Sequence, residues 1–256
     1  MGPLRTEAIV LRSLRYGEAD RILHIYTRDR GRISAIAKGA RRLHSRLGGR
    51  LEPYQLLVLD LHEGRSELLT VTGAQLLLSN AGLRSSATAL DVAARCCDAV
   101  GRLFDTEEPH PEVFNLLANL HALLNADPAV ASWGLALSFR LKLLVVAGLA
   151  PRVGSCVGCG STDISYFSGA AGGVLCRRCL AHGRGHHFAL DPASRRFMAE
   201  ALAKPLAEAP VAPTKALVGC ERAVFEVAAH HGHVRLRPAV GSPTSGEGVV
   251  ELGVAA

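Results

Sequence analysis

Two C-x2-C pairs constrain this chain more than any other feature. Cys156-Val157-Gly158-Cys159 is followed, after sixteen intervening residues, by Cys176-Arg177-Arg178-Cys179. Each pair places two thiolates on a tight turn, within reach of one ion, and the separation fits a four-cysteine zinc site. Four sulfurs complete a tetrahedron and leave no position for water or substrate, so the expected Zn2+, one per chain, is structural rather than catalytic. Four thiolates on Zn2+ carry about −2 net charge, which Arg177, Arg178 and Arg152 are placed to offset. Gly158 and Gly160 suit turns that need positive φ. Disulfides are the competing reading, but the opening MGPLRTEAIV has no apolar run long enough for a secretory signal. Reduced thiols and a cytoplasmic location are expected.

The 256 residues suffice for two ordinary domains, and charge separates them. Residues 1–80 hold 13 Lys and Arg against 8 Asp and Glu, and the other 176 hold 16 against 15. Residues 1–80 also show period-two alternation. Strands are expected over Glu7–Arg15, Arg21–Thr27, Arg32–Ala40, Tyr54–Leu61 and Glu67–Gly73. Five short, evenly spaced strands suggest a small closed barrel, with the five-stranded OB-fold as leading candidate and an SH3-like barrel as alternative. After Gln75 the period becomes helical. Helices are expected from Thr88 as N-cap with Asp91 at N3, from Pro111, over Ala131–Ala147, from Asp191-Pro192, and from Thr214 as cap to Gly232. The apolar stretch Ala129–Leu149 carries Arg140 and Lys142 about 200° apart on a helix, so a buried soluble helix fits better than a membrane span. The expected fold is α+β: an OB-fold over 1–80, then an all-α domain over 81–237 with the zinc module at about 152–187, and a disordered Gly/Ser/Pro-rich tail over 238–256.

The basic stretch reads either as a solvated charged face, the usual meaning of such a run, or as a surface that pairs with phosphates. Arg28, Arg30, Arg32, Lys38, Arg41, Arg42, Arg46 and Arg50 face only Asp29 within 23 residues. Small barrels with a basic groove hold single strands by phosphate pairing and aromatic stacking. Tyr16, Tyr26 and Tyr54 are the available rings, and Gly31, Gly39, Gly48 and Gly49 would let backbone amides approach phosphate. No catalytic constellation is visible. Cys96, Cys97 and Cys220 are expected to be buried thiols.

The order of these parts resembles the bacterial recombinational repair RecO family over about Thr6 to Arg237. Val10-Leu11-Arg12 with Tyr16-Gly17-Glu18-Ala19-Asp20-Arg21-Ile22-Leu23 is similar to the family's opening hairpin. Thr27, Gly31, Ala37-Lys38-Gly39-Ala40-Arg41-Arg42, Ser45-Arg46 and Leu51-Glu52-Pro53-Tyr54 resemble its most recognisable block, with Glu52 where Gln is usual. Leu141-Lys142-Leu143-Leu144 and Gly148-Leu149-Ala150-Pro151 running into Cys156 are similar to its helix-to-zinc junction, and Gly172-Gly173-Val174-Leu175-Cys176 fits the return. The resemblance implies a non-enzymatic, nucleoid-associated mediator. It would bind single- and double-stranded DNA, anneal strands, act with RecR to load RecA, and meet the acidic tail of single-stranded-DNA-binding protein in a pocket of the helical domain. DNA contact is carried onto Arg28, Arg30, Lys38, Arg41, Arg42, Arg46 and Arg50. The alternative, a zinc-containing nucleic-acid-processing enzyme, needs converging carboxylates or an open metal site, and the sequence shows neither.

Overall fold

A computed structural model describes residues 3–64, 68–182 and 185–239. Five strands come first: β1 (Pro3–Tyr16), β2 (Asp20–Thr27), β3 (Gly31–Ala37), β4 (Leu56–His62) and β5 (Leu69–Leu78). Their order is β1-β2-β3-β5-β4, and β4 returns to β1, so the sheet closes on itself. The long first strand makes closure possible. Its first half pairs with β4, from Pro3 opposite His62 to Ile9 opposite Leu56, and its second half pairs with β2. A bulge between Val10 and Arg12 bends the strand where it changes partner. β3 and β5 meet in parallel over only two pairs, Ala35 with Leu69 and Ile36 with Thr70. Alternating inward residues such as Val10, Leu23, Ile25, Ile33, Leu57 and Leu59 fill the interior, and Leu51 seals it from the β3–β4 connection.

Four strand boundaries differ from expectation by two residues or more. β1 starts at Pro3, β3 ends at Ala37 rather than Ala40, β4 starts at Leu56 rather than Tyr54, and β5 runs past Gly73 to Leu78. The Leu76-Leu77-Leu78 run has no alternation, and a register shift between Leu56 and Leu57 falls opposite it. Gly73 faces Asp60 across the strands, where a Cβ would lie 2.5 Å from Oδ2. The expected start of this strand at Glu67 falls outside the described residues.

The remaining helices are α1 (Ala81–Arg84), α2 (Ala87–Leu103), α3 (Pro111–Ala126), α4 (Trp133–Val146), α5 (Arg177–His182), α6 (Pro192–Ala203) and α7 (Thr214–His231). Pro111 opens α3 and Asp191 caps α6, accepting from the Ala193 and Ser194 amides, as their sequences suggest. Two caps differ. Ser86 caps α2 by accepting from the Ala89 amide, and Asp91 pairs with Arg95 one turn on, at 2.8 Å. α7 has Pro213 at its N-cap without a side-chain bond, so Thr214 is its first helical residue. The C-terminal part is also not all helical. β6 (Tyr166–Ser168), β7 (Gly173–Leu175) and β8 (Phe188–Ala189) form a sheet of order β7-β6-β8. Strands of two or three residues are too short to show a period.

A continuous apolar core joins α2, α3, α4, α6 and α7 to the outer face of the barrel through Ile9, Leu11 and Tyr26. From Gly134 to Leu141, two full turns, α4 is buried on every face, including Arg140. The Arg140 guanidinium donates to the carbonyls of Arg237 at 2.7 Å, Pro238 at 3.2 Å and Arg95 at 3.4 Å. These bonds hold the chain after α7 against the helices, and Ala239 is fully buried. The expectation of disorder from Pro238 is therefore corrected for Pro238 and Ala239, and residues 240–256 lie outside the described ones. No helix among the described residues is long and apolar enough to cross a membrane.

His121 of α3 is buried where barrel and helices meet, edge-on to the Tyr54 ring (5.9 Å between centroids) and 3.6 Å from Cys97 Sγ. Burial lowers its pKa from 6.5 to about 4. The neutral ring thus contributes stability that is fully present above about pH 6.5 and is lost as pH falls through 4. The full loss is about 3 kcal/mol by linkage. Urea unfolding across this range should show the slope, and His121→Gln should remove that part of it. An unchanged profile in the variant would show that His121 is not protonation-coupled to folding.

Candidate nucleic-acid interface and metal centre

The four cysteines converge. The Sγ atoms of Cys156, Cys159, Cys176 and Cys179 all lie within 4.8 Å of one another, and Cys159 and Cys176 are 3.6 Å apart. Tetrahedral Zn–S bonds of about 2.3 Å give S···S separations of about 3.8 Å, so the set fits such an ion. It is the only group of three or more such ligands among the described residues. Local bonds shape both turns. The Gly160 amide donates to Cys156 O at 2.9 Å, and the Cys156 amide to Ser161 O at 2.8 Å. The second pair leaves the end of β7 and enters α5, and the Val157 amide bonds Val174 O of β7 at 2.9 Å, tying the turns together.

The two glycines have different tasks. Gly160 has φ +77°, as expected. Gly158 does not have positive φ; it supplies room, because a Cβ there would lie 3.0 Å from Cys179 Sγ. Burial raises the Cys156 thiol, but hydrogen bonds from the Cys176, Cys159 and Gly158 amides outweigh it and bring the pKa down to about 6. Such amides favour thiolate ligands. Four sulfurs leave no open position, so any ion held here is structural. Cys96, Cys97 and Cys220 are buried elsewhere.

The structure divides the seven basic positions. Lys38, Arg41, Arg42 and Arg46 are exposed on the turn-rich segment after β3, and none has an ion-pair partner among the described residues. The Arg41 amide donates to Ala19 O at 2.8 Å and its Nη1 to Gly17 O at 3.3 Å, so this segment is fastened to the tip of the β1–β2 hairpin. Arg50 is exposed but donates to Ala74 O at 3.0 Å. Arg28 and Arg30 lie at the other end of β3, about 23 Å away by strand rise. Arg28 pairs with Glu7 at 2.7 Å, donates to Asn115 at 3.0 Å and covers the Phe114 ring at 4.4 Å. Arg30 pairs with Glu63 at 2.8 Å, which lowers that carboxyl's pKa.

Of the three tyrosines, only Tyr16 is free to stack: it is 54% exposed and sits at the hairpin tip. Tyr26 is fully buried, and Tyr54, at φ 70°, packs against His121. The glycine amides are also partly committed. Gly31 backs onto the Thr106–Glu108 backbone, and the Gly39 amide donates to Asp20 at 2.7 Å. Sequence offers Tyr16 as one of three rings without distinguishing it from the other two; the Arg41 bonds to Ala19 O and Gly17 O bring the hairpin tip that carries it to the basic segment.

Cys159→Ser should lower metal content below one ion per chain and cost about 2 kcal/mol or more, roughly 4–8 °C in Tm for a chain of this size. Elemental analysis and thermal unfolding check both. A variant of wild-type stability that loses only DNA binding would contradict a structural centre.

Comparison with known proteins agrees with this layout. Residues 1–80 match the family model described as Recombination protein O N terminal, and residues 84–231 match Recombination protein O C terminal. A protein of Rubrobacter xylanophilus named DNA repair protein RecO is 42% identical over 213 residues, covering 82% of this chain and 84% of that one. Proteins of the same name from Bifidobacterium animalis and an Anaeromyxobacter species are 40% and 37% identical, each over 69% of this chain and 74% and 70% of their own length. With family models covering both the sheet and the helices, and relatives similar over most of their own length, the chain belongs to the RecO family of DNA repair proteins.

Proposed function

We propose that this chain is a non-enzymatic mediator of recombinational repair that binds single- and double-stranded DNA, anneals complementary strands and acts with RecR to load RecA onto coated strands. The observation that carries it is the group of four exposed, unpaired cations, Lys38, Arg41, Arg42 and Arg46, fastened beside an exposed Tyr16. Cations neutralise phosphates and an exposed ring stacks on a base, the two components of single-strand binding. Arg50 extends this surface. Arg28 and Arg30 contribute through the field of the barrel, since Glu7 and Glu63 already hold them.

In this reading residues 1–80 are an OB-fold, supported by the closed order β1-β2-β3-β5-β4. Residues 81–237 are the helical domain, and its module at about 152–187 holds one structural Zn2+. The helical domain meets the acidic tail of single-stranded-DNA-binding protein, and the protein works in the cytoplasm at the nucleoid.

Salt dependence tests the DNA surface. Each phosphate neutralised on a single strand contributes about −0.7 to the slope of log K against log[salt]. Changing Arg41, Arg42 and Arg46 together to Ala should flatten that slope by up to roughly 2. Affinity should fall about equally for unrelated sequences, since phosphate contacts carry no base information, and annealing of complementary oligonucleotides should fall with it. Arg195→Ala in α6 is the control, expected to leave the slope unchanged. Arg222 is a poorer control because it covers the Phe188 ring at 4.2 Å and pairs with Glu226 at 3.4 Å. A triple variant with the wild-type slope would place the DNA surface elsewhere.

A further inference from the structure

A second concentration of positive charge lies away from the β3–β4 connection. The outer face of the barrel and α2 enclose a cleft of about 480 Å3. Arg12, His24 and Arg32 line it from the barrel, Asp98 and Arg102 from α2, and Arg237 from the chain after α7. Pairing register builds the barrel wall. Arg12 is directly opposite His24, His24 is opposite Ser34 and bonds its Oγ at 3.0 Å, and Arg32 lies two residues along the same face. The helix wall is low because Ala94, Cys97 and Gly101, at helical spacing, have short side chains or none.

The charges in this cleft do not balance. Four guanidiniums line it against one carboxylate, Asp98, which already lies 2.7 Å from Arg102 Nε and 3.8 Å from Arg237 Nη1. Arg32 donates to the Gly101 carbonyl at 2.9 Å, and Arg12 has no ion-pair partner among the described residues. Burial, then Arg32, then Arg12 hold the His24 pKa below its usual value, so the ring reports the local surplus. Guanidinium forks match phosphate oxygens two at a time. The volume is within the roughly 300–1,000 Å3 range of small-ligand sites.

We propose that this cleft is a second anion site that takes phosphate groups, separate from the exposed cations of the β3–β4 connection. The phosphates can come from a nucleic-acid strand or from a free nucleotide or pyrophosphate. The strand as source rests on the DNA-binding reading above, whereas the anion site itself does not.

The His24 imidazole signal, identified by its loss in His24→Gln, is followed by NMR through a pH titration of the full-length, metal-loaded protein. Inorganic pyrophosphate should raise the His24 pKa, because a bound anion offsets Arg12 and Arg32. Arg12→Ala combined with Arg237→Ala should abolish that rise and weaken pyrophosphate binding roughly tenfold or more, the scale of one charge-assisted hydrogen bond. Arg237 holds Arg140 through its backbone carbonyl, so this change leaves that bond in place. If pyrophosphate leaves His24 unmoved, or the double variant binds it as well as the wild type, the site is overturned. A short oligo-dT then identifies the source. A His24 response that persists when Arg41, Arg42 and Arg46 are all Ala supports the strand. A response to pyrophosphate but none to saturating oligo-dT supports the free anion and overturns the strand. Wild-type DNA affinity in the triple variant would count against the β3–β4 surface alone.

Discussion

Docking of the barrel's outer face onto the helices decides which parts of the barrel can bind anything else. Ile9, Leu11 and Tyr26 point outward from the sheet and enter the same core as α2, α3 and α4. The β2–β3 turn goes with them. The Arg32 amide donates to Thr106 O at 3.0 Å, Gly31 lies flat against the backbone around Glu108, and Arg28 covers Phe114. Gly31 has φ +64°, and any Cβ there would collide with the Glu108 carbonyl, so close approach and backbone conformation both demand glycine. This end of the barrel is used up by internal contacts. At the other end, by the β1–β2 tip and the segment after β3, Arg21 pairs with Glu52 at 2.9 Å, but Lys38, Arg41, Arg42 and Arg46 have no ion-pair partner among the described residues.

The cysteine module is tied to the body through α7. The Gly169 amide donates to Glu226 at 3.3 Å, His231 Nε2 bonds Gly169 O at 2.8 Å, and His186 pairs with Glu226 at 3.0 Å. Gly169 is again a close-approach residue, since a Cβ would lie 2.6 Å from that of Glu226. Disturbing the cysteines therefore acts on β6–β8 and α7 before it can reach the barrel, which is consistent with a stabilising rather than a DNA-contacting role.

What the sequence revealed depended on how local the determinant was. The cysteine pairs are set by spacings of a few residues, and the barrel strands announce themselves by alternation around Ile9, Ile25, Ile33 and Leu59. Pro111 fixes its own φ in the first turn of α3 and Asp191 accepts from the amides two and three residues on, so these local determinants were legible too. Determinants that act across the chain were not. Tyr26 and Tyr54 look like Tyr16 in sequence, and only docking to the helices distinguishes them. Ser86 and Thr88 are equally good capping residues, and Thr88 falls inside the first turn because Ser86 starts the helix first. The Arg12–His24 pair needs a register that shifts at the bulge, so no local pattern exposes the cleft they line.

Arg140 shows the same principle at the C-terminal end. A guanidinium in the middle of an apolar helix suggests a partly exposed side chain, yet this one is fully buried. A buried cation left without acceptors is strongly destabilising. Its acceptors cannot come from α4, whose carbonyls are occupied within the helix. They come mainly from the chain beyond α7, through Arg237 O and Pro238 O, with Glu221 3.8 Å away. Glu221 in turn accepts from the Ala239 amide, and burial raises its pKa. The need to satisfy one charge thus extends the folded unit past its last helix and keeps Pro238 and Ala239 in place. The same constraint turns the Arg237 side chain toward Asp98 and the cleft beside the barrel. A residue at the centre of the helical core therefore positions a cation on the surface of the proposed anion site.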